Sequence, residues 1–90
     1  MPKWTAAALA DLEHILQYTN QFDSTLTVPW GRAIDTACSS LETFPLLGKP
    51  GRTAGTREFF IASYPFVLIY RVKNDVPEIL RLKHTRQQWP

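Results

Sequence analysis

Apolar positions recur at intervals of three and four near the start of the chain: Leu9, Leu12, Ile15, Leu16 and Thr19. That period predicts one amphipathic helix over about residues 5–20, with Asp11, Glu13 and Gln17 off its stripe. Thr5 is placed to cap it, because a hydroxyl there can satisfy a first-turn N–H. The polar run "NQFDST" breaks the pattern. Trp30, Ile34, Ala37, Cys38, Leu41 and Phe44 then resume the helical period. Pro29 is tolerable only in the first turn, where its missing N–H has no partner to lose. The second helix is therefore expected to start between residues 24 and 29 and to end at Pro45. Two helices across so short a connection predict an antiparallel hairpin.

Beyond Pro45 the pattern changes. "LLGKPGRTAGT" reads as a loop. Three β-rich runs follow, "TREFFIA", "FVLIYRV" and "PEILRLKH", joined by a Ser-Tyr-Pro turn and by "KNDV". Runs this short with turns this short predict an antiparallel meander. The middle run is almost wholly apolar, which predicts a central strand covered by the helices. The expected architecture is α+β: an N-terminal antiparallel helical hairpin packed on a small antiparallel sheet.

Ninety residues with 44% hydrophobic and 20% charged content fit one domain with one core, spanning 1–90. The net charge of +2 is modest, but its distribution is uneven. Five of the eight acidic residues precede Thr43, whereas eight of the ten basic residues lie from Lys49 onward. That half is expected to carry a basic surface suited to an acidic partner or a phosphate backbone. Cys38 stands alone, so no internal disulfide and no Cys-based zinc cluster can form, and its place in a helical stripe predicts a buried hydrophobe. No secretion signal and no membrane-length apolar run is apparent, which predicts a cytoplasmic protein with no membrane partner.

Candidate chemistry is sparse. "GKPGRTAG" has neither the feeding strand nor the following helix of a phosphate-binding loop. The second helix carries one positive charge, too few for a recognition helix. His14 and His84 have no carboxylate at ligand spacing, so no metal or other cofactor is expected. His84 is the most interesting group. A neutral imidazole at this strand end, near Arg57, Tyr70 and Arg86, could take a proton from a ribose hydroxyl while the arginines stabilise a phosphate. Alternatively it closes the sheet edge by a hydrogen bond. Arg57 beside Glu58 could be a phosphate clamp or half of a surface salt bridge.

Taken in order, "WTAAALADLEHILQY", "LETFPLLGKPG", "GTREFFIASYPFVLIYRV" and "ILRLKHTRQQWP" resemble the RelE/ParE superfamily of toxins from bacterial type II toxin–antitoxin modules. The family pattern falls here on Ala8, Asp11, Leu12 and Ile15; on Leu41, Pro45 and Gly48; on Gly55, Arg57 and Glu58; on Tyr70, Arg71 and Val72; and on His84. The resemblance implies a curved sheet under a helical hairpin. It also implies an N-terminal edge strand, which here must be short or absent, because only Met1-Pro2-Lys3-Trp4 precede the first helix.

The superfamily divides by mechanism. RelE-like members are mRNA endonucleases acting in the ribosome, and that branch would make His84, Arg57, Arg86 and Tyr70 the catalytic set. ParE-like members stabilise plasmids and poison DNA gyrase without a nuclease site. Glu58, Phe60 and Val67 stand where the nuclease branch tends to carry cations, while the Pro-x-x-Gly-Lys-Pro-Gly loop and the His-x-x-Arg-x-x-Trp-Pro ending resemble ParE-like chains. The ParE-like branch is favoured. The resemblance then implies a cognate antitoxin, no sequence-specific DNA binding by this chain alone, and a target- or antitoxin-binding surface formed by Arg52, Arg57, Arg71, Arg81, Lys83, Arg86 and Trp89. A non-toxic, degenerate member of the family is the third reading.

Overall fold

The fold was obtained as a computed structural model, which describes residues 2–86. Helix α1 runs Ala6–Phe22 and helix α2 runs Thr27–Thr43. Between them Asp23 stops α1 and accepts the Thr25 amide at 3.1 Å, which seeds one 3-10 turn at Ser24–Leu26. Pro29 is the third residue of α2, inside the turn whose N–H groups have no helical acceptor.

Five strands form one sheet in the order β1-β5-β4-β3-β2: β1 Lys3–Trp4, β2 Lys49–Pro50, β3 Arg57–Phe60, β4 Phe66–Lys73 and β5 Val76–His84. The three long runs make the expected antiparallel meander. Their second turn holds Asn74 and Asp75 at φ 53° and 62°. Two consecutive left-handed residues suit the right-handed twist of the flanking strands. The sheet is mixed rather than wholly antiparallel, since β1 pairs parallel to β5, with Lys3 opposite Glu78 and Trp4 opposite Ile79. The segment expected to be loop alone also contributes a two-residue strand, β2, against Glu58 and Arg57.

The N-terminal strand can be this short because α1 takes over its work. Beyond Ile79 the edge of β5 is satisfied by helix side chains. The Thr5 hydroxyl accepts from the Ala8 amide, capping α1, and donates to the Leu80 carbonyl at 3.0 Å. Six residues later Asp11 accepts the Leu82 amide at 3.0 Å and two bonds from the Arg81 guanidinium at 2.7 and 2.9 Å. A β-bulge makes room for this contact: Ile69 faces Arg81 but Tyr70 faces Ile79, leaving Leu80 as the extra residue. Burial pushes the Asp11 carboxyl upward. The hydrogen bonds from Arg81 and the Leu82 amide, with the charges of Arg81 and Lys83, outweigh it and hold the group below its ordinary value.

The core lies between the helices and the sheet. Ala8, Ile34, Cys38 and Leu41 meet Phe66, Leu68, Tyr70, Ile79 and Leu82. The buried stripe of α1 differs from the expected one at its first position. Ala8 is fully buried and Leu9 is 51% exposed. A methyl at position 8 lets the helix lie close to β5, and the stripe continues through Leu12, Ile15 and Thr19. Thr19 is accommodated because its hydroxyl donates to the Leu16 carbonyl and bonds Thr27. Cys38 is the small buried hydrophobe expected of it. Burial, then the charges of Asp35 and Glu42, push its thiol up to about 12.

Candidate functional site

The loop between α2 and β3 is tied to the sheet by Tyr70, a wholly buried side chain of the central strand. Its hydroxyl donates to the Pro45 carbonyl at 2.7 Å and accepts the Gly48 amide at 2.8 Å. Arg57, opposite Tyr70 on β3, donates to the carbonyls of Gly48 at 2.6 Å and Leu46 at 3.4 Å. Glu58 is buried, accepts the Arg52 amide at 2.9 Å and pairs with the Arg52 side chain at 3.7 Å. Both ends of the loop are thus fastened through buried polar groups, each of which has a partner. Through Nη1, the half-buried Arg57 side chain braces the loop.

His84 lies at the other end of the sheet. It pairs with Phe66, four residues before Tyr70 on β4, and so stands roughly 13 Å from the Tyr70 level at the usual strand rise. Its Nδ1 accepts the Arg86 amide at 3.1 Å, and its ring meets Phe66 edge-on, centroids 5.8 Å apart. Trp30 meets the same Phe66 edge-on at 4.8 Å. With His14, Ile15 and Tyr18 these rings line a cavity of about 310 Å³. His14 is thus an exposed helix residue whose ring borders this cavity. The structure brings Arg57 to Tyr70, and Arg86 to His84, but does not bring the two pairs together. Among the described residues, Arg57 and Tyr70 hold the loop through the bonds above, while His84 and Arg86 lie at the Phe66 end of β4.

The cations expected on one surface are spread over several places. Arg52, Arg81 and Lys83 border one cleft of about 260 Å³ with Glu58 and Ile69. Arg71 pairs with Glu78, its cross-strand neighbour, at 2.6 Å, and sits with Lys3 and Lys73 near the β4–β5 turn. Arg57 faces the loop, Arg86 follows the end of β5, and Trp89 lies outside the described residues. No group of three or more His, Cys, Asp or Glu able to hold a metal occurs among the described residues. No helix among them is long and apolar enough to cross a membrane.

Residues 3–89 match the family model described as the ParE toxin of the type II toxin–antitoxin system parDE. The chain belongs to that family. It is 39% identical over 88 residues to the Sinorhizobium fredii protein named "Putative toxin Y4kP", covering 98% of this chain and 91% of that one. It is 35% identical over 81 residues to toxin RelE2 of Caulobacter vibrioides, covering 90% of each. Among solved structures, the chromosomal ParDE toxin–antitoxin system from P. aeruginosa superposes with a TM-score of 0.82 at 26% identity, over 91% of each chain.

The ParE-family motifs therefore have structural explanations in this chain. Pro45, Gly48, Arg57 and Tyr70 form the loop fastening, and Asp11 fastens α1 to β5. Sequence reasoning missed a broad groove of about 540 Å³ between α2 and β3, with Ala33, Ala37, Phe59 and Ile61 in its lining and Arg32 and Tyr64 among its polar members.

Proposed function

We propose that this ParE-family toxin arrests growth by binding and poisoning DNA gyrase, and that its cognate antitoxin releases the target. One observation carries the reading: Arg57 and Tyr70 are committed to the loop while His84 stands at the far end of β4. Phosphoryl transfer needs base and cations converging on one phosphate, whereas a poison needs only a rigid surface that fits a protein. The family match supports the same branch. Gyrase acts in the cytoplasm, which is then where this chain works.

The antitoxin half of the proposal rests on the α2–β3 groove. Its apolar lining with Arg32 beside it suits an amphipathic arm that carries acidic side chains. Such an arm meets the basic C-terminal half with favourable charge.

The test combines purified chain, gyrase, supercoiled plasmid and ATP. Protein-linked linear DNA, seen after detergent and protease, is the expected product. Intact plasmid with folded protein sinks the gyrase reading. A second reading, ribosome-dependent mRNA cleavage, draws on the likeness to toxin RelE2 and on His84 beside Arg86. It expects mapped cuts in mRNA from a translating extract. A third reading, a non-toxic member of the family, draws on the N-terminal strand being only two residues long; a growth curve after induction tests it.

A further inference from the structure

The turn Phe44-Pro45-Leu46-Leu47 presents three large apolar side chains to solvent, exposed by 63%, 67% and 50% for Phe44, Leu46 and Leu47. Isolated exposed leucines need no explanation, but three in four residues form a patch. This patch sits on a loop whose backbone is bonded at several points. The carbonyls of Pro45, Leu46 and Gly48 are bonded by Tyr70 and Arg57, and the Leu47 amide closes the turn onto the Phe44 carbonyl at 3.0 Å. The buried hydroxyl of Tyr70 and the guanidinium of Arg57 thus fix a backbone whose own side chains contribute little to the core. Fixing a backbone before contact removes much of the ordering penalty of association. The exposed cations that follow the patch are Lys49 and Arg52, the latter paired with the buried Glu58 carboxylate at 3.7 Å; Glu42 is the exposed acidic residue on the helix side. Lys49, two residues past Leu47, lies over the Phe60 ring at 4.8 Å.

We propose that this turn is the surface by which the toxin docks on its target: an apolar tip inserted into a cleft of a protein whose rim is acidic. The proposal rests on the reading of the chain as a target-binding poison, and on that reading the protein is gyrase. The antitoxin groove between α2 and β3 is a separate surface, so target and antitoxin contacts can be altered independently.

The test uses the full chain with Leu46→Asp/Leu47→Asp, and with Leu46→Ser as a milder second variant. Both changes fall on exposed side chains, so circular dichroism and antitoxin binding should match the native chain. The expected result is a loss of gyrase affinity of about tenfold or more for the double variant, with growth arrest lost in parallel. Gyrase binding unchanged in both variants overturns the docking proposal and leaves the gyrase reading standing. A native chain that does not bind gyrase removes that reading instead, and growth arrest then decides. Variants as toxic as the native chain overturn the proposal, whereas harmless variants that still bind antitoxin support a different protein target for the turn. Weakened antitoxin binding, or a native dimer that the variants make monomeric, assigns the turn to those occupants and overturns it as well. A native chain that arrests nothing overturns it too.

Discussion

Gly48 and Tyr70 leave each other no spare room. The Gly48 amide donates to the Tyr70 hydroxyl at 2.8 Å, and a Cβ on Gly48 would lie 2.7 Å from that oxygen and from Cε1 of the same ring. The Glu58 carbonyl would be 2.9 Å from it on the other side. Gly48→Ala therefore forces either the buried ring or the backbone of β3 to move. We expect a loss of about 1–3 kcal/mol, in the range for overpacking, read as a lower denaturation midpoint at unchanged slope. A midpoint equal to the native one would mean that the loop yields freely and is not the fixed element described above.

Tyr70→Phe tests the same fastening from the other side. It leaves the Gly48 N–H and the Pro45 carbonyl without the buried hydroxyl they share. Stranding buried polar groups costs about 1–3 kcal/mol each when no water replaces the partner. Hydrogen exchange at the Gly48 amide should accelerate much more than exchange in the middle of β4. Uniform acceleration along both would show that the hydroxyl stabilises the whole fold and not the loop in particular.

Much of this was legible in the pattern of residues, and the parts that were not share a cause. Both helices and the three long strands follow from repeating periods, which integrate many weak preferences. Strands β1 and β2 contribute two residues each, too few to show a period, and β1 pairs with residues 75 positions away. Leu9 looked like core because periodicity ranks residues by hydrophobicity, whereas close packing on β5 selected the smaller Ala8. Asp11 fell off the apolar stripe, yet with Thr5 it closes the edge of β5. As for the site, Arg57 and Tyr70 were visible as residues of a pattern, but their partners are backbone carbonyls and an amide of the loop, which no side-chain spacing reveals.

Asp11→Asn separates charge from hydrogen bonding, because an amide oxygen can still accept from Leu82. The native carboxyl is held below its ordinary value of 3.8. A lowered folded value means that the unfolded chain binds the proton more readily, so stability rises with pH through that window. The stabilisation is complete above the unfolded value and lost as pH falls through the lower folded one. Arg81 is partly exposed, which limits the pair to roughly 1 kcal/mol. Denaturation of both proteins should therefore show a gap at pH 7 that closes as the pH drops below about 4. A gap of constant size down to acid pH would mean that charge plays no part in the contact.

Cys38 gives a test of core integrity that needs no mutation. Burial, reinforced by Asp35 and Glu42, pushes its thiol up to about 12, and only a thiolate reacts readily. At pH 8 a thiol reagent should label the native chain no faster than the chain opens, and rapidly once denaturant is added. Fast, complete labelling of the folded protein would place the thiol outside the core assigned to it.

His84→Ala separates the two mechanisms at one residue. In the docking mechanism the imidazole is a wall of the aromatic cavity, edge-on to Phe66, and an acceptor for the Arg86 amide. Removing it then affects stability alone, by about 1 kcal/mol. Growth arrest on induction should stay within about twofold of the native chain, since target contacts elsewhere persist. A general base behaves differently, because its removal lowers a proton-transfer step by about 10²–10⁴-fold. His84→Gln keeps a hydrogen-bond acceptor but cannot act as a base near neutrality, so it guards against a folding artefact. If both variants remain folded, bind antitoxin and still arrest growth, the imidazole does no chemistry. If both become harmless while still folded and antitoxin-competent, the gyrase reading loses its main support, and the strand end beside Arg86 becomes the place to look for cleavage of RNA.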